Sequence, residues 1–167
     1  MDRSDFLKEQ DLFVLQPLES HQVSAAADLV LGNHVFNRYN YNKEILEGLL
    51  LKGLEQKDVI LAACEGDEIR GFVWMQKQAV FGLSDYIRLI VVEAGQHGRG
   101  IGQFLMMAVE VIAQESGPNL FILTSMDNLA AQKFYLRLGY EHIGTIKNYV
   151  IDGIDELLLR KTWGSIR

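Results

Sequence analysis

The sequence predicts an α/β fold, with a mixed, mostly antiparallel central sheet flanked by helices in one domain over residues 1–167. Three observations carry this reading. Segments of strand character alternate with segments of helical apolar period. Two strand pairs are joined by Gly66-Asp67 and Asp152-Gly153, dipeptides that favour hairpin turns. The run YIRLIVVEA (86–94) is nearly all apolar and β-branched, as a central strand covered on both faces would be. With 167 residues, 49% of them hydrophobic, and two prolines, the chain can bury one sizeable core but is short for two ordinary domains.

The elements follow in order. LFVLQPL (12–18) reads as a short strand, and Ser20 stands where it would cap a helix over HQVSAAADLVLGNHV. A second helix is expected at about 43–56, where positions 45, 46, 49, 50 and 54 are apolar at helical spacing. DVILAACEG and EIRGFVWMQKQAV form the first hairpin, and the central strand at 86–94 comes next. Ile101, Phe104, Leu105, Ala108, Val109 and Ile112 then mark one face of an amphipathic helix. NLFILTS (119–125) reads as a strand and NLAAQKFYLRL (128–138) as a helix stopped by Gly139. YEHIGTIKNYV and IDELLLRKTW close the chain as two strands around Asp152-Gly153.

Composition excludes several classes of function. A net charge of -6 and a pI of about 5.2, with no basic run, argue against nucleic-acid binding and are compatible with a cationic partner. Cys64 is the only cysteine, so neither an internal disulfide nor a cysteine-rich zinc site can form, and no metal is expected. The N-terminal MDRSDFLKEQ lacks the apolar core of a signal, and charges such as Glu110 interrupt the apolar runs before membrane-spanning length. These features predict a cytoplasmic protein without a membrane partner, and a homodimer is compatible with them.

The stretch QHGRGIGQFLMMAVEVIAQ (96–114) places Gly98, Gly100 and Gly102 between the central strand and a helix start. Such a turn leaves backbone N–H groups pointing outward at the positive end of the helix dipole, an arrangement that binds anions and phosphates above all. The same glycines would also serve a tight turn and close helix-on-strand packing. Their spacing matches neither a nucleoside-triphosphate loop, which needs a Gly-Lys-Ser/Thr ending, nor a dinucleotide fingerprint.

IVVEAGQHGRGIGQFLMMAVE resembles the acyl-CoA signature of the GNAT superfamily of N-acyltransferases, Gln/Arg-x-x-Gly-x-Gly/Ala after a central strand. LTSMDNLAAQKFYLRLGY is similar to the family's later segment, an Asn opening a helix that ends in Phe-Tyr-x-x-x-Gly-Phe/Tyr. Together with the strand order, the likeness covers roughly residues 10–163. It implies a GNAT-like fold, acetyl-CoA as cosubstrate and an amine-bearing small molecule or peptide as acceptor. Ile90 and Val92 would offer backbone hydrogen bonds to the pantetheine arm, and His97, Gly98, Arg99, Gly100, Ile101 and Gly102 would wrap the pyrophosphate. Asn128 would bond the coenzyme arm, with an ordinary helix N-cap as its other reading. Tyr135 would lie near the sulfur as general acid, the alternative being a core aromatic beside Phe134 and Leu138. His97 departs from the family's Gln or Arg; backbone N–H groups do not depend on that side chain, whose own reading is a solvated histidine, while Arg99 could supply positive charge.

The chemistry sets its own requirements. Acetyl transfer from a thioester needs a neutral amine, a stabilised oxyanion and a proton for the departing thiolate. Deprotonating a lysine-like amine at pH 7 costs about 4.6 kcal/mol and an α-amino group only about 1.4 kcal/mol, so a base matters most for alkylamines. Asp85 and Glu93, near opposite ends of the central strand, are the carboxylates before the turn; each also reads as a solvated strand end, and the base stays unassigned. In this family the acceptor is set by regions matching 20–45 and 145–153, which hold His34, Tyr39, Tyr41 and Tyr149. The alternative to an enzyme is a non-catalytic acyl-CoA-binding or sensing module.

Overall fold

The computed structural model describes residues 12–167, so the N-terminal run MDRSDFLKEQ lies outside it. Its strands are β1 (Val14–Pro17), β2 (Val59–Glu65), β3 (Glu68–Val80), β4 (Ser84–Val92), β5 (Asn119–Ser125), β6 (Glu141–Ile151) and β7 (Ile154–Thr162). The helices are α1 (Val23–Leu31), α2 (Lys43–Glu55), α3 (Ile101–Ser116) and α4 (Leu129–Arg137). The strands form a seven-stranded sheet in the order β1-β2-β3-β4-β5-β7-β6. The β4–β5 pair is parallel; β1–β2, β2–β3, β5–β7 and β6–β7 are antiparallel, so the predicted mixed, mostly antiparallel sheet flanked by helices is the observed one. Among the described residues, no helix is long and apolar enough to cross a membrane. The chain falls into two compact units, one running up to Met75 and including Leu89–Val109, the other comprising Gln76–Arg88 and Glu110–Arg167.

In the first unit, α1 and α2 pack on the hairpin strands through Ala26, Ala27, Val30, Leu46, Leu50 and Trp74. The α1 region differs from the sequence reading. Ser20 caps nothing; it opens a short 3₁₀ turn (Ser20–Gln22) before α1, and the Glu19 N–H donates to Gln22 Oε1 at 3.0 Å. Glutamine three residues past the cap completes this reciprocal bond, which serine at the next position cannot. Beyond Gly32 the expected helix continues only as a second 3₁₀ segment, His34–Tyr39, which Asn33 opens by accepting from the Val35 N–H at 3.1 Å. Helix α2 begins as expected, capped by Asn42 Oδ1 on the Ile45 N–H at 2.8 Å. Gly71 in β3 has a packing role: a Cβ there would stand 2.7 Å from the Val91 carbonyl and 3.1 Å from Ile101, so only glycine permits this approach of β3, β4 and the start of α3. Cys64 is buried and free, and burial raises its thiol pKa.

The second unit is built on the β5–β7–β6 ladder. β5 and β7 stay in continuous register from Asn119↔Thr162 to Ser125↔Glu156. Glu110 of α3 is buried and accepts from Lys161 Nζ at 2.7 Å, with the lysine also lying 5.8 Å from the Tyr140 ring centroid. The α3 stripe differs in phase from the expected one. Ile101, Leu105 and Val109 are buried as read, but Met106, Glu110 and Ala113 complete the buried face, whereas Phe104, Ala108 and Ile112 are half-buried. Burying a paired glutamate turns the helix away from the purely apolar stripe.

Candidate active site

β4 delivers the chain into the glycine turn. The Glu93 N–H donates to the Arg70 carbonyl on the β3 side at 2.8 Å, and N–H and C=O groups of successive strand residues point to alternate edges. Val91 therefore faces β3 with Glu93, and Ile90 and Val92 present their backbone groups to the other edge. The β4–β5 ladder comprises Asp85↔Leu120, Tyr86↔Phe121 and Ile87↔Ile122, and among the described residues it does not run on although both strands do. The edge that Ile90 and Val92 offer lies past its end.

Residues 94–100 then turn without regular structure, with φ of 85° at Gly98 and 78° at Gly100, the left-handed region that glycine enters without steric cost. A Cβ on Gly98 would meet nothing within 4 Å. The first intrahelical bond of α3 runs from the Phe104 N–H to the Gly100 carbonyl at 2.9 Å. The N–H groups of Ile101, Gly102 and Gln103 precede it and have no intrahelical acceptor. N–H groups so placed at the start of a 16-residue helix have the geometry that can receive an anion. His97 is exposed on the turn.

Arg99, read as a source of positive charge beside the turn, is held in a network of ion pairs and hydrogen bonds. Its guanidinium donates to Glu65 Oε1 at 2.9 Å and to Gln96, and lies 4.8 Å from the Phe13 ring centroid. Glu65 also accepts from Arg70 Nε at 3.0 Å, and Arg70 reaches Glu93 at 2.8 Å and Glu68. The Arg99 hydrogen bond, with Arg70 adding to it, holds the Glu65 carboxyl below its ordinary pKa against the opposing effect of desolvation; Glu93 foremost raises Arg70. The network fastens the turn to the end of the β2–β3 hairpin and offsets the Arg99 charge. No local pattern announces the pairings of Glu65 with Arg99 and of Arg70 with Glu93, whose members lie 34 and 23 positions apart. Glu93, a candidate base, is one of those partners.

In the second unit, Asn128 caps α4, its Oδ1 accepting from the Ala131 N–H at 3.1 Å, so its structural reading holds whatever else it does. Tyr135 is buried at 5% exposure while its neighbour Phe134 is half-buried. Its ring meets Phe134 and Tyr140 edge-on at centroid distances of 5.2 and 5.8 Å. Burial first, and then the Tyr86 phenol, raise its pKa above the ordinary phenol value. Tyr86 is paired with Phe121 one step before the β4–β5 ladder ends. Asp85, the other candidate base, is buried at the first pair of that ladder and accepts from the Gln78 N–H at 2.9 Å, where it supports the left-handed turn of Gln78. Sequence reading missed Ser125 and Glu156: both are buried, and the Ser125 hydroxyl donates to Glu156 Oε1 at 3.0 Å.

Of the acceptor candidates, the first unit holds His34, Tyr39 and Tyr41. Tyr39 and Tyr41 stack obliquely at 5.8 Å, and Phe36 joins Tyr39 at 6.2 Å. Tyr149, in the second unit, is exposed near the β6–β7 turn.

A family model described as acetyltransferase (GNAT) family matches residues 28–140. The curated N-acetylaspartate synthetase of Xenopus tropicalis is 25% identical over 115 residues, which is 68% of this chain and 38% of that protein. The chain thus matches well under half the length of this relative. Among solved structures, the ribosomal-protein-S18-alanine N-acetyltransferase of Escherichia coli superposes with a TM-score of 0.75 at 16% identity, over 92% of this chain and 95% of that one. A GNAT-family acetyltransferase of Bacillus cereus gives 0.76 at 15% identity, over 92% and 99%. A Salmonella typhimurium protein solved with acetyl-CoA gives 0.75 at 12% identity, over 92% and 95%. At these identities the superpositions speak for the fold, and the family match covers most of the chain with the glycine turn inside it: this chain belongs to the acetyltransferase (GNAT) family.

Proposed function

We propose that this chain is an acetyl-CoA-dependent N-acetyltransferase that passes acetyl directly from the thioester to a primary amine of a small molecule or peptide. One observation carries the reading: Gly98 and Gly100 in left-handed turns, directly before a helix whose first N–H groups have no intrahelical acceptor. These N–H groups hold the pyrophosphate. Ile90 and Val92 bind the pantetheine arm as an added strand would, through the β4 edge beyond the β5 ladder. Tyr135 protonates the leaving thiolate, its raised pKa keeping the phenol protonated at neutral pH. Relatives named for acetylating aspartate or a protein's alanine support an amine acceptor.

Mass spectrometry of the purified protein for copurified CoA tests the first part. An assay of acetyl-CoA consumption with L-aspartate, an alanine-headed peptide and spermidine tests the second. The expected result is bound coenzyme and amine-dependent turnover on one class of amine, with an acetylated product. Absence of acetyl-CoA binding would overturn the reading; binding without turnover on any amine would reduce the chain to an acyl-CoA-binding module.

A further inference from the structure

We propose that Glu65 and Arg70 are positioning residues for the coenzyme, holding the glycine turn in its binding shape through Arg99 and Glu93. The assignment rests on the reading of that turn as the acetyl-CoA site, and every residue it uses lies in the first unit.

The network is seated on a β-bulge. In the β2–β3 ladder Ala63 pairs with Gly71 and Cys64 with Ile69, so Arg70 is the extra residue of β3 at this point. Such a bulge bends the strand and re-aims a side chain. The Arg70 carbonyl accepts the Glu93 N–H at 2.8 Å, and its guanidinium reaches Glu65 at 3.0 Å, Glu93 at 2.8 Å and Glu68. Next along β3, Gly71 has no room for a Cβ against Val91 and Ile101, so the bulge adjoins the strand and helix that flank the turn.

Glu65 carries the strap to the turn itself. One of its oxygens accepts from Arg70 and the other from Arg99 at 2.9 Å. Arg99 also donates to Gln96 and lies over the Phe13 ring. The turn is thus tied at its entrance, Glu93, and again at Gln96 and Arg99. Around these ties stand Gly95, Gly98 and Gly100, all at positive φ, where the backbone has most freedom to lose. A turn of this composition gains most from side chains that order it before the ligand arrives.

Electrostatics alone predicts the opposite role for Glu65. Glu65, Glu68 and Glu93 against Arg70 and Arg99 leave one net negative charge beside the turn, which works against an anion. An exposed carboxylate about a Debye length from an anion weakens its binding by about twofold. Ordering the backbone of a single residue is equivalent to about 5- to 30-fold. The strap therefore outweighs the repulsion, and the sign of the Glu65 effect decides between them.

Isothermal calorimetry with acetyl-CoA compares the wild type with Glu65→Gln, Arg99→Gln and the double variant, and thermal melts check the fold. Glu65→Gln should bind about 5- to 30-fold more weakly. The loss in the double variant should fall short of the product of the single losses, because Glu65 acts through Arg99. On whichever of the alanine-headed peptide, L-aspartate or spermidine is acetylated fastest, KM for acetyl-CoA should rise by a similar factor with kcat unchanged, a split that general destabilisation would not give. Unchanged or tighter binding in Glu65→Gln, losses that multiply independently, or a fall in kcat in place of affinity overturns the assignment and leaves the coenzyme site standing. A wild type that does not bind acetyl-CoA overturns both. Should Glu65→Gln not fold, Arg70→Gln carries the test: it removes the tie to Glu93, and affinity equal to the wild type's overturns the proposal.

Discussion

Gly100→Val is expected to destroy acetyl-CoA binding while leaving the protein folded. Gly100 holds φ at 78°, and its carbonyl accepts the first intrahelical bond of α3, so its conformation sets the direction of the helix N-terminus. A β-branched residue there costs on the order of 1–3 kcal/mol in backbone strain. Against a typical stability of about 5–15 kcal/mol this leaves a folded chain. If the strain is relieved by opening the turn, restoring it on binding costs the same energy, which alone weakens affinity roughly 5- to 150-fold. The valine methyls beside N–H groups that must touch phosphate oxygens then remove what is left. Isothermal calorimetry with acetyl-CoA reads the affinity, and circular dichroism with a thermal melt confirms the fold. A folded variant that binds acetyl-CoA as tightly as the wild type would refute the placement of the pyrophosphate at this turn.

Tyr135→Phe keeps the buried ring and its edge contacts with Phe134 and Tyr140, so it isolates the hydroxyl; kcat should drop about 10²- to 10⁴-fold with little change in acetyl-CoA affinity, measured where chemistry limits the rate. Burial raises both Tyr135 and Tyr140 above the ordinary phenol value, so the folded state keeps their protons when the unfolded chain has lost them. Their contribution is complete below pH 10 and is lost above it, at about 1.4 kcal/mol per pH unit for each phenol, and alkaline denaturation midpoints should shift accordingly in Tyr140→Phe. Gly48 is an exposed position inside α2 where an added Cβ meets nothing within 4 Å, so Gly48→Ala should raise stability by about 0.5–1 kcal/mol in urea titration without altering coenzyme binding.

The order of elements was legible because local rules govern it. Hairpin dipeptides, apolar periods and cap residues act over a few positions, and β2, β3, β5, α2 and the β6–β7 hairpin fall within a residue or two of where those rules place them. The glycine turn belongs to the same class, since its meaning lies in the strand before it and the helix after it. The errors at Ser20 and in the phase of α3 arose where another side chain outweighed the local signal: Gln22 completes the first cap, and Lys161 draws Glu110 inwards.

The sequence by itself determined the strand–turn–helix around the glycines, the helix capped by Asn128 and the presence of Tyr135 upon it. Only the tertiary structure decided what surrounds them. Glu65 meets Arg99 across 34 positions and Ser125 meets Glu156 across 31, and these pairings tie Arg99 to the end of β2 and hold a carboxylate at the end of β5. Likewise, which of Phe134 and Tyr135 is buried depends on the surface that α4 covers, and its own apolar pattern offers both. Ladder register and ion pairs join residues whose separation along the chain carries no periodic signal, so they become readable only when the strands are side by side.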